Sequence, residues 1–231
     1  MGIMLKSRWS VVGDRQSVFS FVIWWHCFKR QWREIGITLL SFGAYFGTGH
    51  IPSLKAHRVP ATALDHAVPL LPWTAYGYVS LYPLLVANLV YFVPRPRALR
   101  PLLQAMTLAN TLGGLVFVTY RTTVPRPPLP ISRGSWLLGR IWQVDPPHNA
   151  VPSLHTTYSV LIASAHWRWH SPYRAIVLPW CGLIIATTLT TKQHQVVDVV
   201  AGIALASIIG RLIVYNAAAD DIMAEATTKT M

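Results

Sequence analysis

Long stretches without charged side chains recur along this chain of 231 residues. A helix that crosses a bilayer needs about 20 consecutive, mostly apolar residues. Five stretches near that length contain no Asp, Glu, Lys or Arg: 35–54, 72–94, 101–120, 149–167 and 175–191. A sixth, 194–216, contains only Asp198 and Arg211. Charged residues make up 12% of the chain, about half the share in soluble domains. The sequence therefore predicts an all-α, polytopic membrane protein, a bundle of six transmembrane helices.

The positions of the basic residues predict how these spans are oriented. A net charge of +12 is compatible with nucleic-acid binding, but the basic residues cluster at the ends of the uncharged stretches. With the N-terminus in the cytoplasm, 13 of the 20 Lys and Arg lie inside and 7 outside, in agreement with the positive-inside rule. We therefore expect an integral protein of a bacterial inner (plasma) membrane with membrane lipids, and no nucleic acid, as partners.

The chain divides into three parts by composition. Residues 1–34 carry VFSFVIWWHCF between basic flanks, without the small residues of a signal-peptide cleavage site. This composition favours an amphipathic N-terminal helix in the membrane interface, with a mobile tail as the alternative. Residues 35–216 are predicted to form one six-span catalytic domain, and residues 217–231 a cytoplasmic tail. The long Pro- and Gly-rich loop after residue 120 is expected to fold back against the membrane or the bundle.

Reactive and charged side chains concentrate at one end of the predicted bundle. In six alternating spans, the ends of spans three and five and the starts of spans four and six share one side, here the extracytoplasmic one. The side chains that fall there are Arg121, Arg126, His148, His155, Lys192, His194 and Asp198. Residues far apart in sequence are thus predicted to meet at one rim.

His194 and Asp198 form the first candidate pair. Their i, i+4 spacing places both side chains on one helix face. A carboxylate that accepts a hydrogen bond from one imidazole nitrogen leaves the other nitrogen free as a base or nucleophile. The alternative is two hydrated residues in a first helical turn, where an Asp also suits the helix dipole. A zinc site would need further ligands at suitable spacing, which are not evident, so no metal or cofactor is expected.

Two further elements favour an anion at the same rim. Pro152 and Ser153 in PSLH are typical of a helix start, where free backbone N–H groups attract an anion, and His155 follows one turn into the helix. Arg126 lies between two prolines, which would hold its guanidinium stiffly for phosphate oxygens. The alternatives are a packed histidine and an arginine that contacts lipid headgroups.

Together these elements resemble the type 2 phosphatidic acid phosphatase superfamily over roughly residues 61–210. Its signature is a basic residue followed by Arg-Pro, then Pro-Ser-Gly-His, then Ser-Arg followed by a His and an Asp. Arg126-Pro127, PSLH, and the pair His194 and Asp198 match it. This sequence has Thr119 in place of the first Lys, Leu154 in place of Gly and Thr187-Thr188 in place of Ser-Arg. PSLH, TKQHQVVDVVAG and LLPWTAYGYVSLYPLL look more like the branch of inositol phosphorylceramide synthases.

The resemblance implies a metal-independent reaction on a phosphorylated lipid. By that resemblance, His194 is the nucleophile, Asp198 holds its ring and His155 is the general acid and base. The groups that would bind phosphate are Arg126, Arg121, Lys192 as a substitute for the missing Arg, and the amides near Ser153 and Leu154. Water as acceptor makes the protein a lipid phosphate phosphatase, and a lipid or sugar hydroxyl makes it a phosphotransferase. A non-catalytic lipid-headgroup binder or transporter is the alternative of another class.

Overall fold

The computed structural model describes residues 10–51, 55–217 and 219, and these are mostly helical. The α-helices, in chain order, are α1 (Ser10–Thr48), α2 (Ala63–Ala67), α3 (Ala75–Val79), α4 (Leu81–Phe92), α5 (Pro96–Thr119), α6 (Ser135–Val144), α7 (Leu154–Arg168), α8 (Arg174–Thr190) and α9 (Val196–Ile209). A 3-10 turn, Pro72–Thr74, leads into α3, and a π-helical segment, Gly210–Tyr215, extends α9. The prediction of a helical fold is confirmed.

Three helical segments of the described chain are long and apolar enough to cross a membrane. They are Pro72–Phe92, Pro96–Thr119 and Val196–Tyr215. A fourth apolar helix, α8, has 17 residues, and α7 has 15. The protein is therefore a membrane protein, and the count of six spans stays a prediction.

Helix α1 crosses the boundary that was predicted near residue 34. It runs without a break for 39 residues because no proline interrupts the chain between residues 10 and 51. It packs along α5 through a hydrogen bond of 2.9 Å between the Thr38 and Thr107 hydroxyls. Residues 10–34 are thus continuous with the predicted first span, while residues 1–9 lie outside the described residues. The predicted location of residues 1–34 in the membrane interface stays a prediction.

Helix α7 lies against α5, α8 and α9 at the centre of the bundle. The close approach of α7 and α9 depends on Gly202, where a Cβ atom would lie 2.5 Å from the Ser153 carbonyl oxygen. A Cβ atom at Gly210 would lie 3.5 Å from the Leu161 side chain, an ordinary contact distance, and Ala206 is fully buried. These small residues form a packing face inside the bundle, and that face brings the start of α7 against the start of α9.

The long loop after α5 folds against one end of the bundle, which we call the loop end. Two-residue strands, β1 (His57–Arg58) and β2 (Thr122–Thr123), pair in parallel there, so the fold is not purely helical. Helix α6 begins after Gly134, whose φ of 84° and contact with the Trp73 backbone leave no room for a side chain. Leu138 of α6 is fully buried, which confirms that the loop packs back onto the protein.

Candidate active site

His194 lies in the turn before α9, and Asp198 lies in the first turn of that helix. The His194 Nδ1 atom is 3.3 Å from Asp198 Oδ2, and the same oxygen accepts the Gln195 backbone N–H at 2.8 Å. Because a carboxylate only accepts, Nδ1 carries a proton, and in the neutral ring Nε2 therefore has the lone pair. The predicted pairing is present. It arises from a helix cap rather than from two residues on one helix face.

His155 lies in the first turn of α7 and faces His194. The two ring centroids are 6.3 Å apart. The Tyr78 ring stacks on His155 at 4.1 Å, and the Tyr78 hydroxyl is 3.3 Å from His155 Nδ1. His155 Nε2 is buried and has no hydrogen-bond partner among the described residues. Both histidines are therefore held through Nδ1, which leaves Nε2 for chemistry.

The two histidines line one small pocket at the loop end. The other lining residues are Tyr45, Phe46, Gly49, Tyr78, Asp145, Pro146, His148, Asn149 and Gln193. Its volume of about 20 Å³ suffices for roughly one water molecule. His148, expected at this rim, is part of the lining, and burial together with Arg121 and Arg126 lowers its pKa. A phosphate group can enter only if lining side chains move apart.

Asp145 is the lining residue that the sequence interpretation missed. Its Oδ2 atom accepts hydrogen bonds from the Tyr78 hydroxyl at 3.1 Å and from Gln193 Nε2 at 3.3 Å. Burial raises its pKa, although His194, Tyr78 and Arg126 act in the opposite direction. One sequence signal was available, because Asp145 is the only acidic residue between Asp65 and Asp198.

Arg126 lies at the edge of this pocket. Its guanidinium donates to the carbonyls of Trp142 at 2.8 Å and Asp145 at 2.6 Å, and to Gln193 Oε1 at 2.6 Å. It also lies over the Trp142 ring at 5.3 Å. Burial lowers its pKa, and the negative charge of Asp145 partly compensates. Arg126 thus holds the end of α6 and places a positive charge beside Asp145 and Gln193, two residues that line the pocket.

Arg121 and Lys192, which were predicted to bind phosphate, do not line the pocket. The buried Arg121 guanidinium donates to the carbonyls of Gly49 and Ile51 at the end of α1. Lys192 Nζ donates to the carbonyls of Asp65 at 2.9 Å and Val68 at 2.6 Å. Both positive charges are thus engaged by backbone oxygens beside the site.

Asp65 holds the turn that carries His194 from the other side. Its Oδ1 atom accepts the Val196 N–H at 2.8 Å, and its Oδ2 atom accepts the Thr62 N–H at 2.8 Å. Burial raises the pKa of Asp65, but the hydrogen bonds from Thr62 and Val196 and the charge of Lys192 outweigh it and lower the pKa. Two carboxylates, Asp65 and Asp198, therefore cap the first turn of α9.

The other motif positions serve packing and capping. Ser153 caps α7 by accepting the Thr156 N–H at 3.3 Å, and its own N–H donates to the Asp198 carbonyl at 3.0 Å. The Leu154 side chain packs on Gly113. Thr187 and Thr188 are buried, and the Thr188 carbonyl accepts the N–H of His194 at 3.1 Å. The Ser153 amide is therefore already engaged, and Thr188 helps to hold the His194 turn.

A metal site is not apparent in this part of the molecule. Within residues 10–51, 55–217 and 219, His, Cys, Asp and Glu do not form a group of three or more with the geometry of a metal site. The pocket is lined by three imidazoles, one carboxyl group and phenol hydroxyls, and one guanidinium contacts two of the lining residues. Groups of this kind can bind and transfer a phosphoryl group by nucleophilic and acid–base chemistry.

Comparison with known proteins agrees with this geometry. A family model described as the PAP2 superfamily matches residues 53–212, which is more than half of the chain. The match includes Arg126, the PSLH segment and the pair of His194 and Asp198. Neither the curated proteins nor the solved structures give a match to this chain. Members of the matched family are generally phosphatases or phosphotransferases. The chain therefore belongs to the PAP2 superfamily.

Proposed function

We propose that this protein is an integral membrane lipid phosphate phosphatase that hydrolyses a phosphomonoester or diphosphate lipid through a phosphohistidine. The observation that carries the proposal is the pair of imidazoles in one pocket, 6.3 Å apart between ring centroids. Asp198 holds Nδ1 of His194, and Tyr78 holds Nδ1 of His155. Each ring can therefore use its Nε2 atom, one for attack on phosphorus and the other for proton transfer.

The reaction has two steps. In the first, His194 Nε2 forms a bond to phosphorus, the bond from phosphorus to the lipid oxygen breaks, and His155 gives that oxygen a proton. In the second, His155 takes a proton from water, the hydroxide attacks phosphorus, and the bond to His194 breaks. Asp198 stabilises the positive charge on the phosphorylated ring. Acid–base assistance of this kind is typically worth about 10²–10⁴-fold.

Arg126 is the fixed positive charge closest to these events in the proposal. Its Nη2 atom reaches the Asp145 carbonyl and Gln193, both at the pocket, so a small shift would direct it to phosphate oxygens. Arg121 and Lys192 act at longer range, because carbonyl groups already hold their charged ends. The proposal assigns no step to a metal or a cofactor.

An apolar cavity supports a lipid as the substrate, and its wall includes Tyr82, whose ring centroid is 6.1 Å from that of His155. It has a volume of about 280 Å³ and is lined by residues of α1, α4, α5 and α7. Three of the polar side chains in its wall, Thr38, Asn88 and Asn110, are paired with protein groups. Asn88 bonds His166 at 2.7 Å, and Asn110 bonds Tyr158 and Ser41. The wall therefore presents hydrocarbon, which suits the chain of a lipid whose phosphate lies near His155.

The distribution of basic residues supports an extracytoplasmic location for the loop end. The segments around Arg95, Arg100, Arg168 and Arg174 lie at the opposite end of the helices. Positive residues accumulate on the cytoplasmic side of membrane proteins, so the pocket would face away from the cytoplasm. In the proposal, lipid phosphates therefore reach the site from the outer leaflet.

A phosphotransferase is the second candidate. It uses the same two histidines, with a lipid or sugar hydroxyl in place of water as the acceptor. The resemblance of PSLH and TKQHQVVDVVAG to the inositol phosphorylceramide synthase branch favours it. A headgroup binder or transporter would release no phosphate at all.

One experiment separates these functions. The purified protein is incubated with a lipid phosphate labelled on phosphorus, with and without alcohol acceptors, and then quenched. We expect an acid-labile phosphoenzyme and free phosphate, both lost in His194→Ala and retained in the control His66→Ala, whose side chain is exposed on α2. Label that appears in the alcohol instead of in phosphate identifies a transferase. Full turnover in His194→Ala, or no trapped phosphoenzyme, contradicts the mechanism.

A further inference from the structure

A chain of polar side chains connects Arg126 to His155. Arg126 Nη2 is 2.6 Å from Gln193 Oε1, and Gln193 Nε2 is 3.3 Å from Asp145 Oδ2. Asp145 Oδ2 is 3.1 Å from the Tyr78 hydroxyl, which is 3.3 Å from His155 Nδ1. The far nitrogen of His155, Nε2, is the atom that has no partner among the described residues. The chain thus ends at the proposed proton-transfer atom.

The direction of the first hydrogen bonds follows from Arg126. A guanidinium can only donate, so Gln193 accepts through Oε1 and must present its amide N–H groups to Asp145. Asp145 Oδ2 therefore always accepts from Gln193. The one feature of these hydrogen bonds that can change is the protonation state of Asp145, whose carboxyl group is either protonated or ionised.

This proton decides the tautomer of His155. When Asp145 is ionised, the Tyr78 hydroxyl donates to it and its oxygen accepts from His155 Nδ1–H, so Nε2 carries a lone pair. When Asp145 is protonated, it donates to Tyr78, Tyr78 donates to Nδ1, and Nε2 carries the proton. The first arrangement is a base and the second is an acid, and both keep the buried imidazole neutral.

We propose that Asp145 and Tyr78 hold and return the proton that His155 exchanges with the substrate. The inference rests on the proposed two-step reaction. In the first step, His155 Nε2–H goes to the leaving lipid oxygen while Tyr78 passes a proton to Nδ1 and Asp145 passes its proton to Tyr78. In the second step, Nε2 takes a proton from water, and the Nδ1 proton returns through Tyr78 to Asp145. In each turnover one proton goes to the leaving lipid oxygen and one is taken from water, so the hydrogen-bonded side chains return to their starting protonation states.

The environment of Asp145 suits a group that changes its protonation state. Burial raises the pKa of its carboxyl group, so the protonated form is accessible under conditions where an exposed Asp is ionised. Asp198, by contrast, contacts His194 directly without an intervening hydroxyl. The two histidines therefore have different partners. His194 contacts the carboxylate of Asp198 directly, whereas His155 is connected to the carboxyl group of Asp145 through the Tyr78 hydroxyl.

Tyr78→Phe is the variant that interrupts this chain while it keeps the stacked ring. With a lipid phosphate we expect kcat to fall by about 10²-fold, the lower end of acid–base effects, with little change in KM. An aryl phosphate with a nitrophenolate leaving group needs no acid. With it, we expect phosphoenzyme formation near the wild-type rate but slow breakdown, so that phosphoenzyme accumulates. Tyr76→Phe, on the exposed face of the same helix, is the matched control.

Asp145→Asn and the double variant test whether the two residues act as one unit. We expect Asp145→Asn to lower kcat by a similar factor and Tyr78→Phe/Asp145→Asn to lower it no further. Losses that multiply in the double variant, or breakdown of the phosphoenzyme at the wild-type rate in both single variants, overturn the inference. Absence of phosphoenzyme in the wild type instead contradicts the proposed function. Thermal unfolding of each variant identifies any loss of fold.

Discussion

Removal of Asp198 tests the orientation of His194 most directly. Its fully buried carboxylate receives hydrogen bonds from His194 Nδ1 and from the Gln195 N–H. A hydrogen bond to a charged group is worth about 1.5–3 kcal/mol, and each 1.36 kcal/mol corresponds to a factor of ten in rate. We therefore expect Asp198→Ala to lower kcat by about 10–150-fold. Loss of the helix cap should also lower the free energy of unfolding by about 1 kcal/mol.

Asp65 provides a matched control for that experiment. It caps the same first turn of α9 through the Val196 N–H at 2.8 Å, but it does not contact either histidine. Asp65→Ala should thus lower the free energy of unfolding by a similar amount and change kcat by less than about threefold.

The assay is phosphate release from a lipid phosphate in detergent micelles, together with thermal unfolding of the same samples. Asp198→Asn separates charge from geometry, because its amide oxygen can still accept from both donors. Neutral hydrogen bonds are about half as strong as charged ones, so we expect a loss of about tenfold in kcat. Equal losses of kcat in Asp198→Ala and Asp65→Ala would refute the reasoning, because the effect would then come from the cap alone.

Three further predictions follow from other contacts. Gly202→Ala should lower the unfolding temperature by several degrees, because its Cβ would lie 2.5 Å from a backbone oxygen, whereas Gly182→Ala has open space inside α8 and should not lower it. Leu89→Trp, which fills part of the apolar cavity, should raise KM for a long-chain lipid phosphate about tenfold, the equivalent of about two buried methylenes, but leave a short-chain one unchanged. Val90→Trp on the exposed face should change neither value. The pKa of Asp145 is raised on folding, so its contribution to stability is present below the ordinary pKa of an Asp and is lost as pH rises through the raised value. Unfolding temperatures measured across weakly acidic pH should show this decline in the wild type and not in Asp145→Asn.

The predictions that held depend on residues close together in sequence. The contact of His194 with Asp198 and the cap at Ser153 each span no more than five residues. Uncharged stretches of about 20 residues likewise indicate helices in a membrane without reference to the rest of the chain. One prediction based on neighbouring residues, the first residue of α9, was wrong. We expected α9 to begin at His194, and it begins two residues later because Gln195 and Asp198 form the cap.

Arg121 and Lys192 are the predicted phosphate-binding residues that do not line the pocket, and their role in phosphate binding stays a prediction. A guanidinium or ammonium group in a loop can bind a phosphate or a backbone carbonyl equally well. The sequence does not show which of these two groups lies close to it in the fold. Arg121 finds the end of α1, 72 residues away, and Lys192 finds the α2 segment, 124 residues away at Val68. Both are thus engaged by carbonyls that no spacing rule could have identified.

Sequence alone was sufficient for the class of molecule, the family signature and the direct partner of His194, since each depends on composition or on contacts within one helical turn. Only the folded chain brings Asp145 to Tyr78, 67 residues earlier, and Asp65 to Val196, 131 residues later. The physical reason is that the small residues of α9 allow α7 and α9 to pack closely, and this packing defines the pocket at the loop end. Which polar group then meets which histidine depends on distances between helices, and these are a property of the tertiary structure.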